Sequence, residues 1–203
     1  MLGANSKPLQ ARLFGRPAAW LVKRGVRANT VTVVGAIVQC LAALTLFPLG
    51  CLWQGALVLG VVATADALDG TMARLAGTAS KWGAFLDSTL DRLADAAVFA
   101  GLTIHLALEG HTLGAVAGVA ALAAGAIVPY TRARAESLGY QASVGIAERA
   151  DRLIVALVAA LVTGLGATWV VLAAALGLLA AASLATVGQR MAAVARQARA
   201  EGR

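Results

Sequence analysis

The sequence predicts an all-α integral membrane protein: a bundle of six transmembrane helices preceded by an amphipathic helix lying on the membrane surface. Three observations predict it. Of 203 residues, 60% are hydrophobic and 13% charged, with a mean hydropathy of +0.78, a balance foreign to an ordinary soluble domain. The apolar residues form runs long enough to cross a hydrocarbon layer about 30 Å thick, where only a helix or a closed barrel satisfies its own backbone groups. The seventeen Lys and Arg residues avoid every second turn between those runs.

Residues 1–28 form the first segment. Lys7, Arg12, Arg16, Lys23, Arg24 and Arg27 alternate with Leu9, Leu13, Phe14, Trp20, Leu21 and Val22. Pro17 suits the first turn of a short helix ending near Gly25. A helix with one apolar and one basic face lies in the plane of the membrane surface. The first apolar run within it, 18–22, is too short and too soon interrupted by Lys23 and Arg24 for a secretory signal.

Residues 29–203 form the membrane domain, with spans expected at 30–50, 53–75, 82–108, 113–134, 152–165 and 169–188. Asn29 or Thr30 would cap the first span, and a helix N-terminus there is also a ready anion site. The remaining basic residues collect at Arg74, Lys81 and Arg92, at Arg132, Arg134, Arg149 and Arg152, and at Arg190, Arg196, Arg199 and Arg203. The turns near residues 50–53, 109–112 and 164–168 hold none. The positive-inside rule therefore places both termini in the cytoplasm. The net charge of +7 then faces anionic headgroups and phosphate-bearing substrates; no nucleic-acid partner is expected. Cys40 and Cys51 read as apolar filling, and His105 and His111 fall toward the outer side, away from the acidic residues.

Those acidic residues break the apolar pattern. Asp66 and Asp69 are three apart on the second span, and Asp87 and Asp91 four apart on the third. Each pair shares a helix face, and a hairpin of the two helices would turn all four carboxylates inward. Counting from Trp53 at 1.5 Å per residue places Asp66 about 20 Å and Asp69 about 24 Å along the helix, in the cytoplasmic third of the membrane. Charges at that depth require a polar cavity with partners. Gly70 and Gly83 leave helix surface bare nearby, either for a ligand or for close helix contact, as do the small residues at 63, 67 and 73.

An oxygen-only donor set of this size suits Mg²⁺ or Mn²⁺, and two ions would neutralise four carboxylates while gripping a diphosphate. Pairing with Arg74 and Arg92 would account for two of the charges at most.

Asp66, Asp69, Gly70, Ala73 and Arg74, then eight residues, then Gly83, Asp87 and Asp91 compose the pattern D-x-x-D-G-x-x-A-R…G-x-x-x-D-x-x-x-D. It resembles the motif of the CDP-alcohol phosphotransferases, and the six-helix pattern extends the likeness over nearly the whole chain. The resemblance implies transfer of a phosphatidyl or related group from a CDP-linked donor to an alcohol, with release of CMP. It assigns Asp66, Asp69, Asp87 and Asp91 as metal ligands, with Asp91 also accepting the proton of the attacking hydroxyl. It implies that Gly70, Arg74, Ser80 and Gly83 meet the CDP-lipid, with Asn29, Thr30, Val31 and Thr32 closing over it. A homodimer in a bacterial cytoplasmic membrane is implied too.

The acceptor is read elsewhere. Arg132, Arg134 and Glu136, then Glu148, Arg149, Asp151 and Arg152, lie at the fourth cytoplasmic turn, with Arg190 entering from the last helix. Guanidinium forks suit phosphate, although span ends also attract arginine. The R-A-R-A-E and I-A-E-R-x-x-R segments resemble those of the phosphatidylinositol phosphate synthases, the bacterial branch that joins inositol 1-phosphate to CDP-diacylglycerol. That likeness assigns Arg132, Arg149, Arg152 and Arg190 to the acceptor phosphate, whereas Pro129 stands where a small hydroxyl residue is expected.

Three alternatives stay open: glycerol 3-phosphate as acceptor; a cation-coupled carrier, which would need a matching polar set at the outer ends of the spans; and a scaffold that binds CDP-lipid without a base.

Overall fold

The computed structural model describes the chain over residues 6–201, with side chains described for 15–63 and 68–201. Among the described residues seven α-helices follow one another: α1 Ser6–Lys23, α2 Ala28–Leu46, α3 Leu52–Leu75, α4 Lys81–Leu108, α5 Thr112–Ser137, α6 Arg149–Gly164 and α7 Trp169–Glu201. No strand occurs among the described residues. The six expected spans correspond in order to α2 through α7. Four of them, α2, α3, α5 and α7, are long and apolar enough to cross a membrane by length and composition. α4 carries its acidic residues within its length, and α6 has 16 residues.

Several local expectations are corrected. Pro17 lies inside α1 rather than in its first turn, because the helix already begins at Ser6. A helix that continues through proline forgoes one backbone hydrogen bond. α2 already begins at Ala28, ahead of both proposed caps, with Arg27 at the N-cap and no side-chain cap bond; Asn29 and Thr32 are thereby released for other contacts. α7 runs past residue 188 to Glu201. Its last turns are rich in Ala, Arg and Gln, good helix formers that need no lipid.

The helices enclose an apolar core of Phe47, Leu59, Val98, Leu102, Leu106, Leu172 and Leu176, all fully buried. Outside it the polarity is inverted relative to a soluble protein. Leu41, Val61, Leu113 and Leu178 are 62%, 71%, 79% and 70% exposed, the pattern of a surface solvated by acyl chains rather than water.

Close approach of helices is set by small residues. A Cβ at Gly101 would fall 2.3 Å from the Ala43 carbonyl oxygen, one at Gly118 2.2 Å from Thr103 Oγ1, and one at Gly164 2.4 Å from the Trp53 nitrogen. These contacts lock α4 to α2, α5 to α4 and α6 to α3. Gly114 likewise meets Leu106 and Ala173, so the small-residue run at 114–118 is used within the chain. His111 stacks on Trp169 at 4.3 Å, closing the end that carries no basic residue.

α3 and α4 are consecutive and carry the motif, yet they are not a packed hairpin. Each packs on α2, while α3 leans on α6 and α4 on α5. The expected hairpin is replaced by a gap between the C-terminal end of α3 and the N-terminal end of α4, with α2 as its back wall. Like charges on facing helix ends oppose direct contact, and the glycine contact at Gly101 holds α4 to α2 instead.

Candidate active site

The gap is a cavity of about 220 Å³ lined by Asn29 and Thr32 of α2, Asp69, Gly70, Ala73 and Arg74 of α3, Ser80 at the turn, and Gly83 and Asp87 of α4. Nine of the positions singled out from the sequence thus meet in one place. Asp69 is buried. Its Oδ2 accepts a hydrogen bond from Thr32 Oγ1 at 2.5 Å and its Oδ1 one from the Gly70 backbone N–H at 2.5 Å. The Asp69 carboxylate is therefore aimed by the helix behind it as well as by its own. The side chain of Asp66 lies outside the described residues.

Gly83 and Ser80 form the start of α4. Ser80 Oγ accepts from the Gly83 N–H at 3.0 Å as the helix N-cap, which leaves its own proton available to a ligand. A Cβ at Gly83 would come 3.3 Å from Asn29 Oδ1 and from Ser80 Oγ, so a larger residue there would crowd the cavity's floor. Arg74 Nη2 donates to Thr71 Oγ1 at 3.1 Å, which holds the guanidinium along the wall. Thr30 and Val31 fall elsewhere, in an apolar groove with Val34, Val38, Val61 and Val62 between α2 and α3. Helical spacing explains it: 29 and 32 share the face toward α4, and 30 and 31 the adjoining one.

A second cavity, of about 410 Å³, begins one residue along α4. Ser88 lines it, together with Arg92, Pro129, Arg132, Glu136, Glu148, Arg149, Arg152 and Arg190. All four arginines assigned to an acceptor phosphate meet here. They are not equally available. Arg132 Nε donates to Glu136 at 2.8 Å on an exposed helix turn. Arg190 Nε donates to the Val144 carbonyl at 2.9 Å, and its Nη1 bonds the Val128 carbonyl. Arg152 is 3% exposed, with Nη1 on the Ala147 carbonyl at 3.3 Å.

Asp91 lines neither cavity but pairs with two arginines of the second. It follows Asp87 by one helical turn, and its Oδ1 lies 3.0 Å from Arg149 Nη2 and its Oδ2 3.7 Å from Arg92 Nη2. Three features escaped the sequence reading. Asp95, one further turn along α4, is buried and pairs with Arg149 and Arg152; the only available signal was the continued spacing of four from Asp87 and Asp91. Ser88 lies between those two ligand candidates. Thr186, fully buried on α7, accepts from the N–H groups of Ile146 and Ala147 at 3.2 and 3.1 Å.

The segment carrying Glu148 and Arg149 is pinned to α7 along its length. Besides Thr186, Gln197 exchanges two hydrogen bonds with the Gln141 backbone at 2.9 and 2.7 Å. Tyr140 donates its hydroxyl to Glu201 at 2.9 Å. That bond to a carboxylate, on the solvent side of the bundle, raises the phenol's pKa. The arginine cavity is consequently a built feature rather than a chance gathering of surface charge.

These observations define the class first: a helical membrane protein with an acidic cavity and a basic cavity side by side at one end of the bundle. A family model described as CDP-alcohol phosphatidyltransferase matches residues 26–181. The chain belongs to that family. It is 45% identical to a phosphatidylinositol phosphate synthase of Cutibacterium acnes, over 92% of this chain and 94% of that one. It is 42% identical to an archaetidylinositol phosphate synthase of Methanothermobacter thermautotrophicus, over 81% and 80%. Among solved structures it resembles the Mycobacterium tuberculosis phosphatidylinositol phosphate synthase with CDP-DAG bound, at 37% identity and a TM-score of 0.86, over 91% and 94% of the two chains. The same Mycobacterium enzyme in complex with manganese and citrate matches with a TM-score of 0.84 over 88% and 87%.

Proposed function

We propose that the protein transfers the phosphatidyl group of CDP-diacylglycerol to inositol 1-phosphate, releasing CMP. The observation that carries this reading is the gathering of Arg132, Arg149, Arg152 and Arg190 around one cavity that starts where the carboxylate cavity ends. Relatives that bear the name phosphatidylinositol phosphate synthase along nearly their whole length support it.

The donor set of the acidic cavity fits hard divalent ions: Asp69 and Asp87 offer only oxygen, on an open cavity wall, and Asp91 continues their line. Asp66, Asp69, Asp87 and Asp91 would hold two ions, Mg²⁺ or Mn²⁺. When bound, such ions supply positive charge against the donor's pyrophosphate and the departing CMP.

The remaining work belongs to the chain's own side chains. Thr32 and the Gly70 N–H fix the Asp69 carboxylate. Arg74, Ser80, Gly83 and Asn29 shape the donor's seat, and the valine-lined groove beside Thr30 and Val31 continues it toward the lipid. The arginines hold the acceptor's phosphate so that one inositol hydroxyl faces Asp91. Asp91 takes that hydroxyl's proton as its oxygen bonds to the lipid-side phosphorus. The bond from that phosphorus to the CMP oxygen breaks, and CMP carries away the electron pair.

Six membrane crossings by α2 to α7, both termini and both cavities on the cytoplasmic side, and a homodimer in the bacterial inner membrane complete the reading. The absence of basic residues from the other three turns supports the orientation.

Purified protein supplied with CDP-diacylglycerol and one of three acceptors tests the proposal. Inositol 1-phosphate should support CMP release and formation of a phosphorylated inositol lipid, and free inositol and glycerol 3-phosphate should not. Faster turnover with glycerol 3-phosphate would reassign the acceptor.

A further inference from the structure

We propose that Asp95 is the positioning residue of the basic cavity, the single carboxylate that sets two acceptor-binding guanidiniums at once. The proposal rests on the assignment of that cavity to a phosphorylated acceptor.

Asp95 is buried, at 8% exposure, one turn beyond Asp91 on α4. Its Oδ1 accepts from Arg149 Nε at 2.9 Å, and its Oδ2 lies 3.6 Å from Arg152 Nη2. Among the described residues it is the one carboxylate paired with Arg152, which is almost fully buried and whose Nε makes no hydrogen bond. A buried guanidinium without a counter-charge is strongly unfavourable, so Asp95 is what allows Arg152 to remain charged at the cavity's floor.

Its second effect is directional. Arg149 is held at Nε by Asp95 while Nη2 reaches Asp91 at 3.0 Å. A guanidinium is a rigid planar fork, so fixing Nε fixes where the two Nη groups point. Without the Asp95 anchor, Arg149 would swing further onto Asp91, its other ion-pair partner on α4. The anion site would lose one fork and the proton acceptor would be covered. Asp95 touches neither substrate in this scheme and acts only through the two arginines.

The test is a kinetic split. Asp95→Asn keeps the shape and weakens both pairs; removing charge-assisted bonds of this kind should raise KM for inositol 1-phosphate by about tenfold or more. KM for CDP-diacylglycerol should stay within about twofold, because nothing in the donor cavity touches Asp95. In Arg149→Ala protein, adding Asp95→Asn should raise the acceptor KM far less than it does in the wild type, as expected for a residue that acts through Arg149. Asp95→Glu serves if Asp95→Asn fails to fold: it retains the charge that compensates Arg152 but displaces the anchor, so it too should raise the acceptor KM selectively.

An unchanged acceptor KM in a folded Asp95→Asn or Asp95→Glu protein, alongside a raised one in Arg149→Ala, would overturn the positioning role and leave the cavity assignment standing. An acceptor KM unchanged in Arg149→Ala and Arg152→Ala as well would overturn the cavity assignment itself.

Discussion

Arg149 and Asp91 form an ion pair, Nη2 to Oδ1 at 3.0 Å, that joins the basic cavity to the carboxylate line of α4. On the proposed reading, the residue that would hold the acceptor is in contact with the one that would take its proton. An incoming phosphate would then compete with Asp91 for the same guanidinium, coupling binding of the anion to release of the base.

Arg149→Ala would remove that competition together with one fork of the proposed anion site. The account expects KM for inositol 1-phosphate to rise about tenfold or more, with KM for CDP-diacylglycerol little changed. Initial rates of CMP release over a grid of both substrates measure it. Equal effects on both constants would separate Arg149 from the acceptor.

Asp91→Asn keeps the size of the side chain and removes the proposed proton acceptor. Turnover should fall by about a hundred- to ten-thousand-fold, while the protein still inserts and elutes from detergent as the wild type does. Near-normal CMP release from the purified variant would refute the assignment of the base.

Thr32→Val deletes the hydroxyl that donates to Asp69 at 2.5 Å and leaves a side chain of the same shape. Outer partners of metal-binding carboxylates are worth about ten- to a hundredfold in metal affinity. The Mg²⁺ concentration giving half-maximal activity should rise accordingly, with activity recovered at saturating metal. A loss of activity that no metal concentration restores would point to a different role for Thr32.

Thr186→Val strands the N–H groups of Ile146 and Ala147, which share its Oγ1. Ala147 is buried, and a buried donor left unsatisfied costs about 1 to 3 kcal/mol, so the detergent-solubilised protein should melt earlier. The loosened segment should also weaken acceptor binding more than donor binding. An unchanged melting temperature would show that water replaces the hydroxyl.

The sequence carried most of the architecture because lipid imposes a simple rule on it. The expected spans at 53–75 and 82–108 differ by one residue at their starts from α3 Leu52–Leu75 and α4 Lys81–Leu108, since the Gly- and polar-rich turns that bound the apolar runs also end the helices. α7 extends past the expected end at 188 because its final turns leave the apolar pattern without leaving the helix. The carboxylate motif was legible through local spacing.

What spacing cannot convey is which helices lie between others. The insertion of α2 behind α3 and α4, and with it the bond from Thr32 to Asp69 across 37 residues, had no local signal. Asp95 was overlooked for a related reason: its partners Arg149 and Arg152 are more than fifty residues away in the chain, and only the packed bundle brings them together.

Whether the α3 and α4 carboxylates share bound metal is read out by Mn²⁺ binding to the purified protein, followed by electron paramagnetic resonance. Wild-type protein should bind Mn²⁺ saturably, Asp69→Asn/Asp87→Asn protein should lose that binding, and Arg149→Ala protein should retain it. Undiminished Mn²⁺ binding after both carboxylates are replaced would contradict the account.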